Sequence, residues 1–203
     1  MKKGILATLL ISCFLSAAGQ RSEGDTWAKV KSSGSGTLAV LYYEQAGLIQ
    51  DVSGKPQGLC VNILNDFAAF VQKKYGKTVT IQYVAKEPVF TKFLATTEKS
   101  PNLLGVTNVT VTEERKKVLK FTPPFISNPV VLLTHKDAPA ISSFAEISKK
   151  LDGYSAEIIA GSTHVKFINK IKKENWPNLN ITWGPSGQEI LKKVVAIPSC
   201  LPF

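Results

Sequence analysis

The sequence predicts an α/β protein of two lobes, each built on a mostly parallel sheet. Three observations lead there. Short apolar, β-prone runs alternate with amphipathic helical stretches from Thr37 onward, the pattern of strand–helix–strand units. The alternation starts afresh at Val130. Between the halves lies Phe121-Thr-Pro-Pro-Phe-Ile-Ser-Asn-Pro129, and each of its three prolines lacks the backbone donor that a helix or central strand needs.

Taken in order, residues 1–19 read as an export leader. Lys2 and Lys3 are a basic start, Ile5 to Leu15 an apolar stretch, and Ser16-Ala17-Ala18 the small residues of a cleavage site near Ala18 or Gly19. Leu10-Ile11-Ser12-Cys13 also has the form of a lipobox, which would make an acylated Cys13 the mature N-terminus. Both readings place the protein outside the cytoplasm. Residues 20–36 are polar and rich in Gly and Ser, as in a solvated linker.

Thr37 to Tyr43 is the first strand, and Asp51 to Pro56 a turn cluster. Apolar residues at 60, 63, 64, 67, 70, 71 and 75 trace one helix face that Gly76 stops. Val79, Ile81 and Tyr83 alternate as a half-buried strand, with Val84 breaking the period. A short helix covers Phe90 to Thr97, and Leu103 to Val106 is a strand. In the second half the strands are Val130 to Leu133, Ile158 to Ala160 and Asn180 to Trp183. The helices are Ser143 to Leu151, one following Gly161-Ser162-Thr163, and Gln188 to Val194. This divides the chain into a first lobe at 37–125 and a second at 126–194. Residues 195–203 have neither helix nor strand period and read as an irregular tail.

Composition narrows the classes of function. At 44% hydrophobic and 20% charged the chain can bury a core and is not disordered. The net charge is +10, but the lysines come as scattered pairs on helix faces, a solvated surface rather than a nucleic-acid footprint. Cysteines at 13, 60 and 200 fit neither a paired framework nor zinc-ligand spacing. No metal or cofactor is expected. His135 and His164 have no nucleophile signature beside them and read as solvated or capping groups, and Cys60 as a packing residue.

One residue stands apart. Against 25 basic residues in all, the chain has two arginines, Arg21 in the expected linker and Arg115 in the folded part. A guanidinium can hold a carboxylate by two parallel hydrogen bonds, which an ammonium cannot. A surface ion pair with Glu113 or Glu114 is the plainer use of it.

Arg115 ends the stretch Gly105-Val-Thr-Asn-Val-Thr-Val-Thr-Glu-Glu-Arg115, followed by Phe121-Thr-Pro-Pro-Phe125. This resembles the signature of the type II periplasmic solute-binding proteins, the amino-acid-binding family 3 of ABC transporters. The leader, the Gly54-x-x-x-Gly58 turn and Gly161-Ser162-Thr163 fall where that family has them. The resemblance implies a two-lobed fold that closes about a hinge on an amino acid or similar small carboxylate, for delivery to a membrane permease. It implies no catalysis, no nucleic acid and a monomer. Arg115 would clamp the ligand carboxylate. Thr110, Asn108 and Thr107 would add contacts in the first lobe, Ser162 and Thr163 at a helix N-terminus in the second, and Tyr43 and Glu44 at the end of the first strand.

Two departures follow. Cys60 stands where the family has an acidic residue. The family also returns to its first lobe and contributes an aspartate for the ligand's amino group, which no residue before Phe203 matches. The expectation is a truncated or frame-shifted product with the second lobe and the return to the first incomplete, residues after about Val194 foreign to the fold, and a chain that is unstable or binds poorly. Alternative readings are the binding-like domain of a murein-cleaving or dehydratase enzyme, a ligand-sensing module, and a basic polyanion-binding protein.

Overall fold

The computed structural model describes residues 23–127 and 129–202. The expected leader, with its two cleavage readings, lies outside the described residues.

The first surprise is the expected linker. Trp27–Ser33 forms helix α1, capped by the Thr26 side chain, which accepts from Lys29 N (3.2 Å), and closed by Gly34 in the left-handed conformation. Val30 is buried and Trp27 meets the ring of Tyr75 edge-on at 5.2 Å. Thr37 N–H donates to Asp25 Oδ2 (2.9 Å), Asp25 Oδ1 pairs with Lys29 Nζ (2.7 Å), and Gly24 N–H donates to Asn102 O (3.0 Å). Residues 24–36 are therefore part of the first lobe, not a solvated spacer. Asp25→Ala leaves the Thr37 amide unpaired and is expected to cost about 1–3 kcal/mol. Thermal denaturation checks it; an unchanged melting temperature would restore the linker reading.

Strand β1 (Ser35–Tyr42) is the centre of a parallel three-stranded sheet, with β4 (Thr78–Lys86) on one side and β5 (Leu103–Val106) on the other. The loop after β1 carries a hairpin, β2 (Gln50–Val52) and β3 (Lys55–Gln57), turning through Ser53 and Gly54. Helix α2 (Leu59–Tyr75) covers the sheet and stops at Gly76, as its periodicity predicts. The sheet register slips between Val40 and Leu41, so that Val40 faces Tyr83 and Leu41 faces Ala85. Val84 is the unmatched residue, which explains why it breaks the alternation: it is a bulge. Cys60 packs with Val40, Tyr42, Leu48, Ile49, Leu64 and Val106, and burial pushes its thiol pKa up. Helix α3 (Phe90–Lys99) then lays Phe90 and Phe93 against Leu41 and Tyr43.

After β5 the chain makes the short helix α4 (Glu113–Lys116) and then runs without regular structure through 117–127 and 129–143. The expected strand at Val130–Leu133 does not form. Val130, Val131 and Leu133 are exposed, and β propensity without a partner to pair with does not hold a strand. A 3₁₀ turn (Phe144–Glu146) leads into α5 (Ile147–Lys150).

The second sheet has β6 (Ser155–Ile159) at its centre, flanked in parallel by β7 (Asn180–Gly184) and β8 (Cys200–Pro202). Helices α6 (His164–Glu174) and α7 (Gly187–Ala196) connect them. The irregular tail expected after Val194 is corrected here. Leu201 is fully buried in the cluster of Ile147, Leu151, Ala156, Ile158, Ile168, Trp176 and Leu179, so the tail belongs to this core. Pro202 is tolerated because β8 is an edge strand.

Candidate ligand-binding site

Both sheets present the carboxyl ends of their central strands to one junction, where ligands of parallel α/β sheets bind. Residues 107–115 leave β5 from one side, and Gly161-Ser162-Thr163 leave β6 from the other.

Arg115 spans the junction. Its position is set by α4, whose N-cap Thr112 accepts from Arg115 N–H at 3.2 Å. Nη1 donates to Thr110 O (2.8 Å) and Nη2 to Gly161 O (2.9 Å), while the guanidinium carbon lies 5.7 Å from the centre of the Phe90 ring. Partial burial lowers the guanidinium pKa, with the nearby Glu114 charge opposing that. Neither hydrogen bond is to a carboxylate, so the expected surface pair with Glu113 or Glu114 is not what holds it. Those acids go elsewhere: Glu113 pairs with Lys116 (2.7 Å) and Glu114 with Lys166 (3.1 Å). Glu114 is held down to about 2 by its own backbone N–H, and next by Lys166.

Thr110 and Thr163, far apart in sequence, have their hydroxyls 3.4 Å apart across the junction. Ser162 Oγ and Thr107 Oγ1 are buried with no hydrogen-bond partner in the structure, and so is the Tyr43 hydroxyl. Leaving such a group unpaired costs roughly 1–3 kcal/mol. Burial raises the Tyr43 phenol pKa; the Gly187 amide opposes that without completing a hydrogen bond. Asn108 is half-buried nearby.

Two expectations change. Glu44 does not face the junction: it accepts from Asp51 N (2.7 Å) and pairs with Lys86 (3.5 Å), fastening the loop to β4. Ser162 N–H is likewise committed, to Ile159 O (3.2 Å). Among the histidines, His135 accepts from Asp137 N within a turn (3.3 Å), as a capping group does. His164 instead has a buried Nδ1 with no partner. Sequence reading missed Phe90 and the Gly161 carbonyl. The two phenylalanines three apart on α3 were the one signal for the first; a carbonyl has no side-chain signal at all.

Among the described residues no cluster of His, Cys, Asp or Glu could hold a metal. The model of the bacterial extracellular solute-binding proteins, family 3, matches residues 42–193. The chain belongs to that family. As a family 3 protein it has the expected fold in solved structures. It is similar to an ancestral arginine-binding protein bound to glutamine, with 20% identity, a TM-score of 0.57, and 82% of this chain covering 68% of that one. It is also similar to the ancestral amino-acid-binding protein AncCDT-1, a precursor of cyclohexadienyl dehydratase (20% identity, TM-score 0.60, 86% and 71% covered). A third is the amino acid ABC transporter substrate-binding protein AbpA from Streptococcus pneumoniae, bound to L-arginine (19% identity, TM-score 0.53, 86% and 69% covered). A search of curated proteins returns no match.

Proposed function

We propose that this family 3 protein binds an amino acid or a similar small carboxylate outside the cytoplasm and hands it to an ABC-transporter permease, binding and releasing its ligand without transforming it. One observation carries the reading. Arg115 is a partly desolvated cation whose fork is held by two backbone carbonyls, one from each side of the junction. A ligand carboxylate offers that fork a negatively charged partner in the same bidentate geometry. In this reading Thr110, Thr163, Thr107, Ser162 and Tyr43 contribute hydroxyls to the ligand and Asn108 an amide. In this role Arg115 is the clamp, and the exchange of Gly161 O for ligand is the step that couples binding to movement of the two sheets.

The neighbours named as arginine-binding and amino-acid-binding support the class of ligand. Export by the leader at 1–19, with either mature N-terminus, and a monomeric state belong to the same proposal. Calorimetric titration of the protein with the twenty amino acids tests it: at least one is expected to give a saturable heat. Silence across the panel by both heat and ligand-induced NMR shifts would overturn the proposal.

A further inference from the structure

The three strands of the first sheet are parallel, so the helices that lead into them all finish at its amino end, opposite the junction. α1 passes through Gly34 to Ser35 of β1 and α2 through Gly76 to Thr78 of β4, and Ser35 lies opposite Thr78 in the ladder. Trp27 and Tyr75 meet there, their ring centres 5.2 Å apart, and Phe70 stands edge-on to Tyr75 at 6.2 Å. Trp27, Tyr75 and Phe70 are packed together and yet 42%, 47% and 49% exposed. Lys74 Nζ lies over the rings of Phe70 (5.2 Å) and Tyr75 (5.5 Å). The site at Arg115 uses none of these residues.

The charge around the rings is positive. The last turns of α1, α2 and α3 carry Lys31, Lys73, Lys74 and Lys99, and Lys29 and Lys77 lie beside them. The acids at this end are Glu23, Asp25 and Glu98, and Asp25 is taken by Lys29 and the Thr37 amide. Lysines in last turns answer the helix dipoles, which explains some of the charge. The dipoles do not explain three half-exposed rings set among it. Aromatic rings with lysine stems beside them are the side chains that a bilayer interface takes, ring in the headgroup layer and ammonium at the phosphates.

We infer that the amino end of the first sheet rests on an anionic lipid surface, with Trp27, Phe70 and Tyr75 in the headgroup layer and the lysines on the phosphates. The chain's order agrees with this. Residues 14–26 are all that separate Cys13 from Trp27, at most about 50 Å of chain. An acyl anchor at Cys13 would therefore hold this end to the membrane and leave the junction facing away from it. Only the choice of compartment rests on the export reading; the contact rests on the rings and charges. A protein partner takes an aromatic anchor into a pocket, whereas these three pack on one another. A nucleic acid stacks its bases on ring faces, and Lys74 already stands over two of the three.

The test uses the chain from Gln20, which keeps every described residue, and two kinds of vesicle: phosphatidylglycerol with phosphatidylcholine in equal parts, and phosphatidylcholine alone. At about 0.1 M salt, where charges more than about 10 Å apart are screened, the chain is expected to sediment saturably with the mixed vesicles. Binding to the neutral ones is expected to be at least about tenfold weaker. Lys73→Glu with Lys74→Glu is expected to lose about tenfold or more, and Trp27→Ser with Phe70→Ser about tenfold. Lys170→Glu with Lys173→Glu, the same change of charge on α6, stays within about twofold of the parent. Fluorescence follows the rings unaltered. In a Trp183→Phe protein, which leaves Trp27 and the buried Trp176, emission is expected to shift to the blue on mixed vesicles and to be quenched by brominated lipid. No vesicle binding, an equal loss in the α6 variant, or unshifted emission overturns the inference. Dimerisation that disappears with Trp27→Ser and Phe70→Ser, without vesicle binding, assigns the face to a second copy and also overturns it. A silent amino-acid panel leaves the result standing.

Discussion

Replacing Arg115 with lysine is expected to weaken amino-acid binding by roughly 10- to 150-fold, the equivalent of losing about 1.5–3 kcal/mol of charge-assisted hydrogen bonding. The charge is conserved in this change, so only geometry is tested. A guanidinium presents two parallel donors to a carboxylate, whereas an ammonium is a point charge with freely rotating donors. Lysine also gives up the flat face that rests 5.7 Å from the Phe90 ring centre, a contact worth about 0.5–2 kcal/mol depending on how dry it is. The variant should still fold, since Arg115 caps no element with its side chain and its two partners are loop carbonyls. The comparison that gives the result meaning is Lys120→Ala, which removes a positive charge without touching the fork. If ligand is drawn merely by positive potential, Lys120→Ala weakens binding and Arg115→Lys hardly does. A clamp gives the opposite order. Calorimetry reads both where affinity allows, and ligand-induced NMR shifts where it does not. An Arg115→Lys protein binding within about twofold of the parent would remove Arg115 from the role proposed for it.

What was legible in the sequence divides along physical lines. β1 and β5 were readable as short apolar, β-prone runs; β1 is buried on both faces over Ala39 to Tyr42 and so has no period to read. α2 and β4 were readable from the period of their apolar residues. The bulge at Val84 was visible as a flaw in that period before its cause was known. The elements missed are those held by other means. Helix α1 buries Val30 alone of its residues and is held by the Asp25 carboxylate and the Gly24 amide, which leave no pattern. β8 is three residues long and ends in a proline, so propensity argues against it; its reason for existing is the place beside Ser155 to Glu157. The opposite error, a strand at Val130–Leu133, came from residues that suit a sheet but have no neighbour in one.

At the site the same division appears. Arg115, Thr110 and Thr163 could be named because arginine is rare here and the surrounding motif resembles a known family. Their meeting depends on two sheets that composition cannot place. Glu44 looked equally suitable as a polar residue at a strand end. It was claimed instead by Asp51 N–H and Lys86, partners set by a hairpin whose direction no periodicity encodes.

Truncating Leu201 to alanine is expected to destabilise the second sheet by about 2–5 kcal/mol, the usual range for a fully enclosed leucine. Leu201 is wholly buried, pairs with Ala156 across the ladder and touches the cluster containing Trp176. Against a total stability of about 5–15 kcal/mol for a typical protein, that loss is large enough to see directly in a urea titration. Trp176 is buried in this cluster, whereas Trp27 and Trp183 are well exposed, so intrinsic fluorescence reports on the relevant core. Leu191→Ala provides the contrast. It lies on α7, within ten residues of Leu201, but is 53% exposed, and surface substitutions of this kind usually change stability by no more than about 0.5 kcal/mol. The pair therefore separates two views of the last residues. If they are foreign to the fold, both variants unfold at the same urea concentration as the parent. If β8 completes the sheet, only Leu201→Ala moves the midpoint. The site depends on this outcome too: β8 braces β6, and β6 is the strand that delivers Gly161 O to Arg115.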